Sequence, residues 1–179
     1  MKVMRVYPAK PADVYLYATC LVDLFDPVAG LDAIALLERE GIRVHFVEKQ
    51  TCCGQPAYTS GHEEEARQVA QSQMALFPEP WPVVVLSGSC GGMMHHHYAR
   101  LFPERREVAA FCERVFELTE FLAQVCRVRW HGVGRASIVM HTSCSARREM
   151  QVHSRARALL GQLDGVTLHE QAYESECCG

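Results

Sequence analysis

The chain has 179 residues, 49% of them hydrophobic, with 18 basic and 21 acidic side chains and a net charge of −3. It is long enough to bury a core in one or two domains, which excludes a disordered chain. No apolar run approaches the roughly 18 residues of a membrane span, and Met1 to Val14 carries Lys2, Arg5 and Lys10 without a signal-peptide core, so the expected location is cytoplasmic.

Val14 to Ala18 is a short β-favouring run that leads to Cys20. Leu31, Ile34, Ala35 and Leu37 predict a helix over Val28 to Glu40, stopped by Gly41, and Ile42, Val44 and Phe46 then alternate as a strand, completing one βαβ unit. Ser60 and Glu63 have capping-box spacing, after which Ala66, Val69, Ala70, Met74 and Phe77 share a helical face until Pro78. Val83 to Leu86 reads as a strand covered on both sides. Ser87-Gly88-Ser89-Cys90-Gly91-Gly92 follows, then a helical stretch through Phe102. Val108, Phe111, Cys112, Val115, Leu118, Leu122 and Val125 predict a second long helix, and Ala136 to Met140 another strand that leads to Cys144. Strands alternating with helices imply a three-layer α/β fold with a largely parallel sheet, whose site lies in the loops at the strand C-terminal ends.

The two parts of the chain echo each other at an offset of 124 residues. Cys20 matches Cys144, Leu36 matches Leu160, and Gly41-Ile42-Arg43-Val44-His45 matches Gly165-Val166-Thr167-Leu168-His169. Each copy is followed by Cys-Cys-Gly, at residues 52–54 and 177–179, so the sequence reads as an internal duplication. The expected units are a first half, 1–130, and the start of a second, 131–179, whose last cysteine is not in this sequence.

Nine cysteines in a chain of this kind argue for metal or redox chemistry over a disulfide framework, and an odd number does not pair off. At the chain's own Cys and Gly frequencies one Cys-Cys-Gly triplet arises by chance in roughly 3 chains of 100, and two at matched distances far less often. Cys20, Cys52, Cys53 and Cys90 all follow predicted strands and so are expected on one rim of the sheet as a first site. Cys144, Cys177 and Cys178 form an incomplete second one. Gathered thiolates suit an iron–sulfur cluster or zinc. Adjacent cysteines are awkward around a single tetrahedral ion, which favours a cluster with several metal atoms.

Other features read more plainly. Cys112 and Cys126 fall on or at the end of an apolar helical face, as small core residues. His95-His96-His97 lies within a helix, where consecutive residues point apart, and is expected as an exposed face. Gly88, Gly91 and Gly92 lack the rest of a phosphate loop and are expected to let backbone approach a cluster. Residues 100–157 hold 11 basic and 6 acidic side chains, with no Lys, too dilute for a nucleic-acid stripe. That block reads as a solvated or partner-facing surface.

A lone Cys followed by Cys-Cys-Gly and then a further Cys resembles the cysteine-rich CCG domain shared by heterodisulfide reductases, glycolate oxidase iron–sulfur subunits and lactate-utilisation proteins. Thr19-Cys20-Leu21-Val22-Asp23-Leu24-Phe25, Thr51-Cys52-Cys53-Gly54-Gln55-Pro56, Ser87-Gly88-Ser89-Cys90 and Phe116-Glu117-Leu118-Thr119-Glu120-Phe121-Leu122 resemble the lactate-utilisation members most. The resemblance implies a non-cubane 4Fe-4S cluster, or zinc in one of the two sites, held by the cysteines named above. It departs at Cys90-Gly91-Gly92-Met93, where the family often has Cys-x-x-Cys, and no ferredoxin-type cysteine spacing is present in this sequence. The implied function is an iron–sulfur electron-transfer subunit of a multi-subunit system oxidising L-lactate to pyruvate, partnered by other iron–sulfur subunits. The alternatives are a glycolate oxidase subunit, a heterodisulfide-reductase-like thiol/disulfide subunit, and a zinc-binding assembly protein.

Overall fold

The computed structural model describes residues 5–131 and 133–176. It is an α/β fold built on a four-stranded parallel sheet with strand order β2-β1-β3-β4: β1 is Asp13–Tyr17, β2 Arg43–Phe46, β3 Val83–Val85 and β4 Val115–Glu117. Alternation along the strands divides the core into two layers. Tyr15, Tyr17, Val83, Val85 and Val115 face Phe77, Met93, Met94, Tyr98 and Phe111. Val14, Leu16, Val84 and Phe116 face Leu37, Phe121, Leu122, Val125 and Leu159. Successive side chains of a strand point to opposite faces, so strands covered on both sides carry the uninterrupted apolar runs seen in the sequence.

Between β1 and β2 run α1 (Thr19–Phe25) and α2 (Pro27–Arg39). Asp26 caps α2 by accepting from the Ala29 N–H, and Pro27 occupies its first turn. Gly41 takes a positive φ of 75° as the chain turns into β2. After β2 come α3 (Gln55–Thr59) and α4 (Glu63–Met74). The expected capping box does not form: Ser60 ends α3, and His62 sits at the start of α4 without a side-chain cap. Glu63, Glu64 and Glu65 in the first turn complement the helix dipole instead.

After β3 come α5 (Gly88–Gly92), a π-helical turn and α6 (Tyr98–Leu101). The long helix expected over Val108 to Val125 is not continuous. Helix α7 (Arg106–Glu113) stops at Arg114, β4 takes the next three residues, and helical structure resumes in α8 (Leu118–Glu120) and a π-helical turn, Phe121–Cys126. Three contacts explain the break. Arg114 donates to the carbonyls of Phe77, Glu79 and Trp81, tying the start of β4 to the loop before β3. Val115 and Phe116 are both buried but in opposite layers, which a strand allows and one helical face does not. The buried Glu117 carboxylate caps the next helix by accepting from the Thr119 and Glu120 N–H groups.

The remaining residues form a two-stranded parallel sheet, β5 (Val133–Val139) with β6 (Asp164–His169), linked by α9 (Cys144–Arg148) and α10 (Val152–Leu160). The order β-α-α-β repeats that of β1 to β2, and the register repeats too. Asp13 pairs with Arg43, and their counterparts 124 positions on, Ser137 and Thr167, pair with each other. This second part packs against the first: Leu159 joins the core layer of Phe116, and Glu120 receives Arg5 at 3.0 Å and Arg155 at 3.3 Å.

Candidate metal centre

In the order β2-β1-β3-β4, the chain leaves β1 toward one neighbour and later returns to pair on its other side, so the loops part at the C-terminal ends of β1 and β3. Such a switch point is where open α/β sheets form their crevice. Cys20 lies in the first turn of α1 directly after β1, Cys52 and Cys53 in the loop after β2, and Cys90 in α5 (Gly88–Gly92) after β3. The four thiols stand close enough to shift one another's titration: Cys53 and Cys90 act on each other, Cys52 acts on Cys53, and Cys52 and Cys53 act on Cys20. Cys53 and Cys90 are buried, whereas Cys20 and Cys52 are partly exposed, so the group runs from the core to the surface.

Four side chains that the sequence reading did not single out hold the Cys52-Cys53 loop. Gln73, buried on α4, accepts from the Thr51 N–H at 3.0 Å and donates to its hydroxyl at 2.9 Å. Gln50 donates to the Leu16 carbonyl and accepts from the Ala18 N–H, fixing the loop to the end of β1. Tyr17 donates to the Thr51 carbonyl and Tyr98 to the Cys53 carbonyl at 2.9 Å. A polar residue on the buried face of α4, in line with Ala66 and Ala70, was the available signal for Gln73. Backbone conformation adds to the picture. Gly54 has φ 84°, and Thr19, a β-branched residue beside Cys20, is held at φ 73°, a strained position of the kind that gathers at functional sites.

The thiols differ electrostatically. Hydrogen bonding to Cys90 and then burial push the Cys53 thiol up, while the hydrogen bond from Cys53, with help from Ser87, pulls Cys90 down toward thiolate. Burial raises Cys20, and also the phenols of Tyr17 and Tyr98. Cys112, in the core, is pushed up to about 11 by burial, as is Cys126, which is half-buried against the second layer. Neither stands with the four.

Among the described residues no group of three or more His, Cys, Asp or Glu side chains stands where it could hold a metal ion. The donor set is nonetheless all soft sulfur, in a partly buried crevice, which fits thiolate-bound metal. Cys20, Cys52, Cys53 and Cys90 are the residues that would hold it. A larger cavity of about 790 Å³ lies near the opposite ends of the strands, but its wall is mainly proline and aromatic carbon, with Pro78, Pro80, Pro82, Trp81 and Phe111.

Cys144, at the start of α9 behind the cap Ser143, lines a cavity of about 320 Å³ together with Gln55, Met93 and His97 of the first part. The second group of cysteines thus begins against the first part of the chain. Cys177 and Cys178 lie outside the described residues.

The structure adds to one expectation for this region and corrects another. The glycines after β3 admit α9: a Cβ on Gly88 would stand 2.4 Å from that of Ala146, and one on Gly92 would strike the Glu149 carboxylate. The histidine run is not an exposed face. It forms a π-helical turn, Met93–His97, in which His95 Nδ1 meets the Cys112 carbonyl at 2.7 Å and His97 Nε2 meets Glu149 at 3.0 Å, leaving only His96 exposed.

A thiol-lined crevice at the switch point of a parallel sheet, with a second copy of the same β-α-α-β unit beside it, defines a cysteine-rich α/β protein. The cysteine-rich domain model CCG matches residues 14–95 and 138–179, and the chain belongs to that family. More particularly, it is 35% identical over 171 residues to Lactate utilization protein A 2 of Bacillus cereus (strain Q1), covering 93% of this chain and 71% of that one. It is 34% identical over the same shares to Lactate utilization protein A 1 of Bacillus anthracis (strain CDC 684 / NRRL 3495), and 36% to Lactate utilization protein A of Bacillus cytotoxicus. No helix among the described residues is long and apolar enough to cross a membrane.

Proposed function

We propose that the chain takes part in lactate utilisation as an iron–sulfur electron-transfer subunit of a multi-subunit system that oxidises L-lactate to pyruvate. The observation that carries the metal-site reading is the convergence of Cys20, Cys52, Cys53 and Cys90 at the switch point. The substrate comes from the relatives, whose names state lactate utilisation. Adjacent sulfurs at Cys52 and Cys53 suit separate metal atoms of one cluster better than a single zinc ion. The cluster would supply one-electron redox chemistry, and the chain's own residues supply thiolates, the clamp on the loop and shielding from water. Lactate chemistry itself and the other iron–sulfur centres would belong to partner subunits.

The test is a strain lacking this gene and any second lactate-oxidising enzyme. It should fail to grow on L-lactate, and its extracts should lose lactate-dependent dye reduction. Normal growth would refute the substrate. Full zinc with no iron after anaerobic purification from the native host would refute the cluster.

A further inference from the structure

Six large apolar side chains stand exposed beside the thiol crevice. Leu21, Leu24 and Phe25 on α1, Val28 and Leu31 on α2, and Phe46 at the end of β2 are 47% to 77% exposed. Positions 21, 24, 25, 28 and 31 have the spacing of a helical stripe, which ordinarily faces a core. Here the buried side of α2 is Ala33 and Leu37, and α1 rests on α2 through Val22 and Gly30, so the stripe is left outside. It leads to the thiols: Leu24 and Phe46 wall a cavity of about 300 Å³ with Cys20 and Cys52.

The surrounding charge is mainly acidic. Residues 11–38 contain five acidic side chains and no Lys or Arg, and of these Asp23, Asp26 and Asp32 are exposed next to the stripe. Exposed Glu48 adds to them at the cavity wall, with Lys49 the adjacent cation. An apolar patch of this kind marks an association surface. An acidic border repels anionic lipid and steers in a cationic protein.

We propose that this face is the docking surface for a protein electron-transfer partner that presents an apolar contact ringed by Lys and Arg, seated over Cys20 and Cys52. The proposal rests on the electron-transfer reading above. The step is outer-sphere: one electron leaves the reduced metal site, which is oxidised by one, and enters the partner's one-electron centre, which is reduced by one, with no bond made or broken.

The experiment uses a cytochrome c, whose haem edge is apolar and ringed by lysines, as the probe. Its binding to the purified chain is measured at low and at ~0.2 M salt. Its reduction is then followed by stopped flow after anaerobic cluster loading and dithionite treatment, beside reduction of a small neutral dye. We expect binding and cytochrome reduction to weaken at least tenfold in Phe25→Ser/Leu31→Ser, and likewise in Asp32→Lys, with dye reduction and the unfolding midpoint within error of the parent. Cytochrome reduction insensitive to these substitutions while the dye is still reduced would overturn the docking surface alone. So would concentration-dependent self-association abolished by the same substitutions, which makes the occupant a second copy, or stripe-dependent binding to phosphatidylcholine vesicles. A loaded chain that reduces neither cytochrome nor dye overturns the electron-transfer reading, and this role with it.

Discussion

Gln73 and Thr51 are bonded in both directions, the Gln73 carboxamide accepting from the Thr51 N–H at 3.0 Å and donating to its hydroxyl at 2.9 Å. The pair lies across 22 residues of sequence and fixes the residue immediately before Cys52. Gln73→Leu keeps the volume but leaves both Thr51 groups unmatched in a buried setting, so urea denaturation should show a loss of about 1–3 kcal/mol. The same variant should release iron faster in air, since the Cys52-Cys53 loop is freed.

Tyr98→Phe removes a single donor to the Cys53 carbonyl. A loss of about 1 kcal/mol is expected in the same assay. Far-ultraviolet circular dichroism should be unchanged, because the ring keeps its place between Phe111 and the sheet.

Anaerobic reconstitution separates the thiols. Cys53→Ser or Cys90→Ser should abolish bound iron and broad visible absorption, and Cys112→Ser should retain both, as quantified by iron and sulfide analysis. Cys112 sits in the core layer with Phe111 and its thiol is pushed up by burial, whereas Cys53 and Cys90 lie at the crevice and shift each other's thiols. Equal iron loss in all three would remove the distinction between them.

Gly88→Ala places a methyl group against Ala146, 2.4 Å from its Cβ and 2.7 Å from its Cα. Overpacking of this kind costs about 1–3 kcal/mol. The companion Gly88→Ala/Ala146→Gly chain should recover part of it, because only the Cβ contact is relieved. A double-mutant cycle read by thermal unfolding measures the coupling.

Burial, and secondly the charge of Arg5, hold the His95 imidazole below its ordinary value of 6.5. The unfolded chain therefore binds this proton first as the pH falls. Stability should decline from about pH 6.5 downward and level off once the folded imidazole also titrates. His153 is shifted in the same direction, chiefly by burial. In His95→Gln, urea midpoints between pH 7.5 and 5.5 should accordingly show a smaller decline than the parent, and not a flat line.

Much of the fold could be read from the chain because the forces are local. The strand runs at Val14–Tyr17 and Val83–Val85, the helix after Asp26 and the stop at Gly41 follow from periodicity and backbone preference over a few residues. Cysteine spacing, together with the rule that α/β sites form at strand C-terminal ends, pointed to four thiols that the fold places in the segments after β1, β2 and β3. The offset of 124 residues anticipated a second β-α-α-β unit whose strands pair in the register of the first.

What the sequence could not decide depends on partners far along the chain. Val115 fits a helical repeat with Phe111, Leu118 and Leu122, and only the placing of Val115 and Phe116 in opposite core layers, with Arg114 bound to carbonyls more than 30 residues away, makes the segment a strand. The glycines after β3 carry no local mark of the helix they admit, and the histidine run none of Glu149, which arrives with the second unit. Gln73 and Tyr98 are likewise functional only through the loop they reach, 22 and 45 residues from their own positions. Periodicity records which side of an element is buried, and only tertiary packing determines what it is buried against.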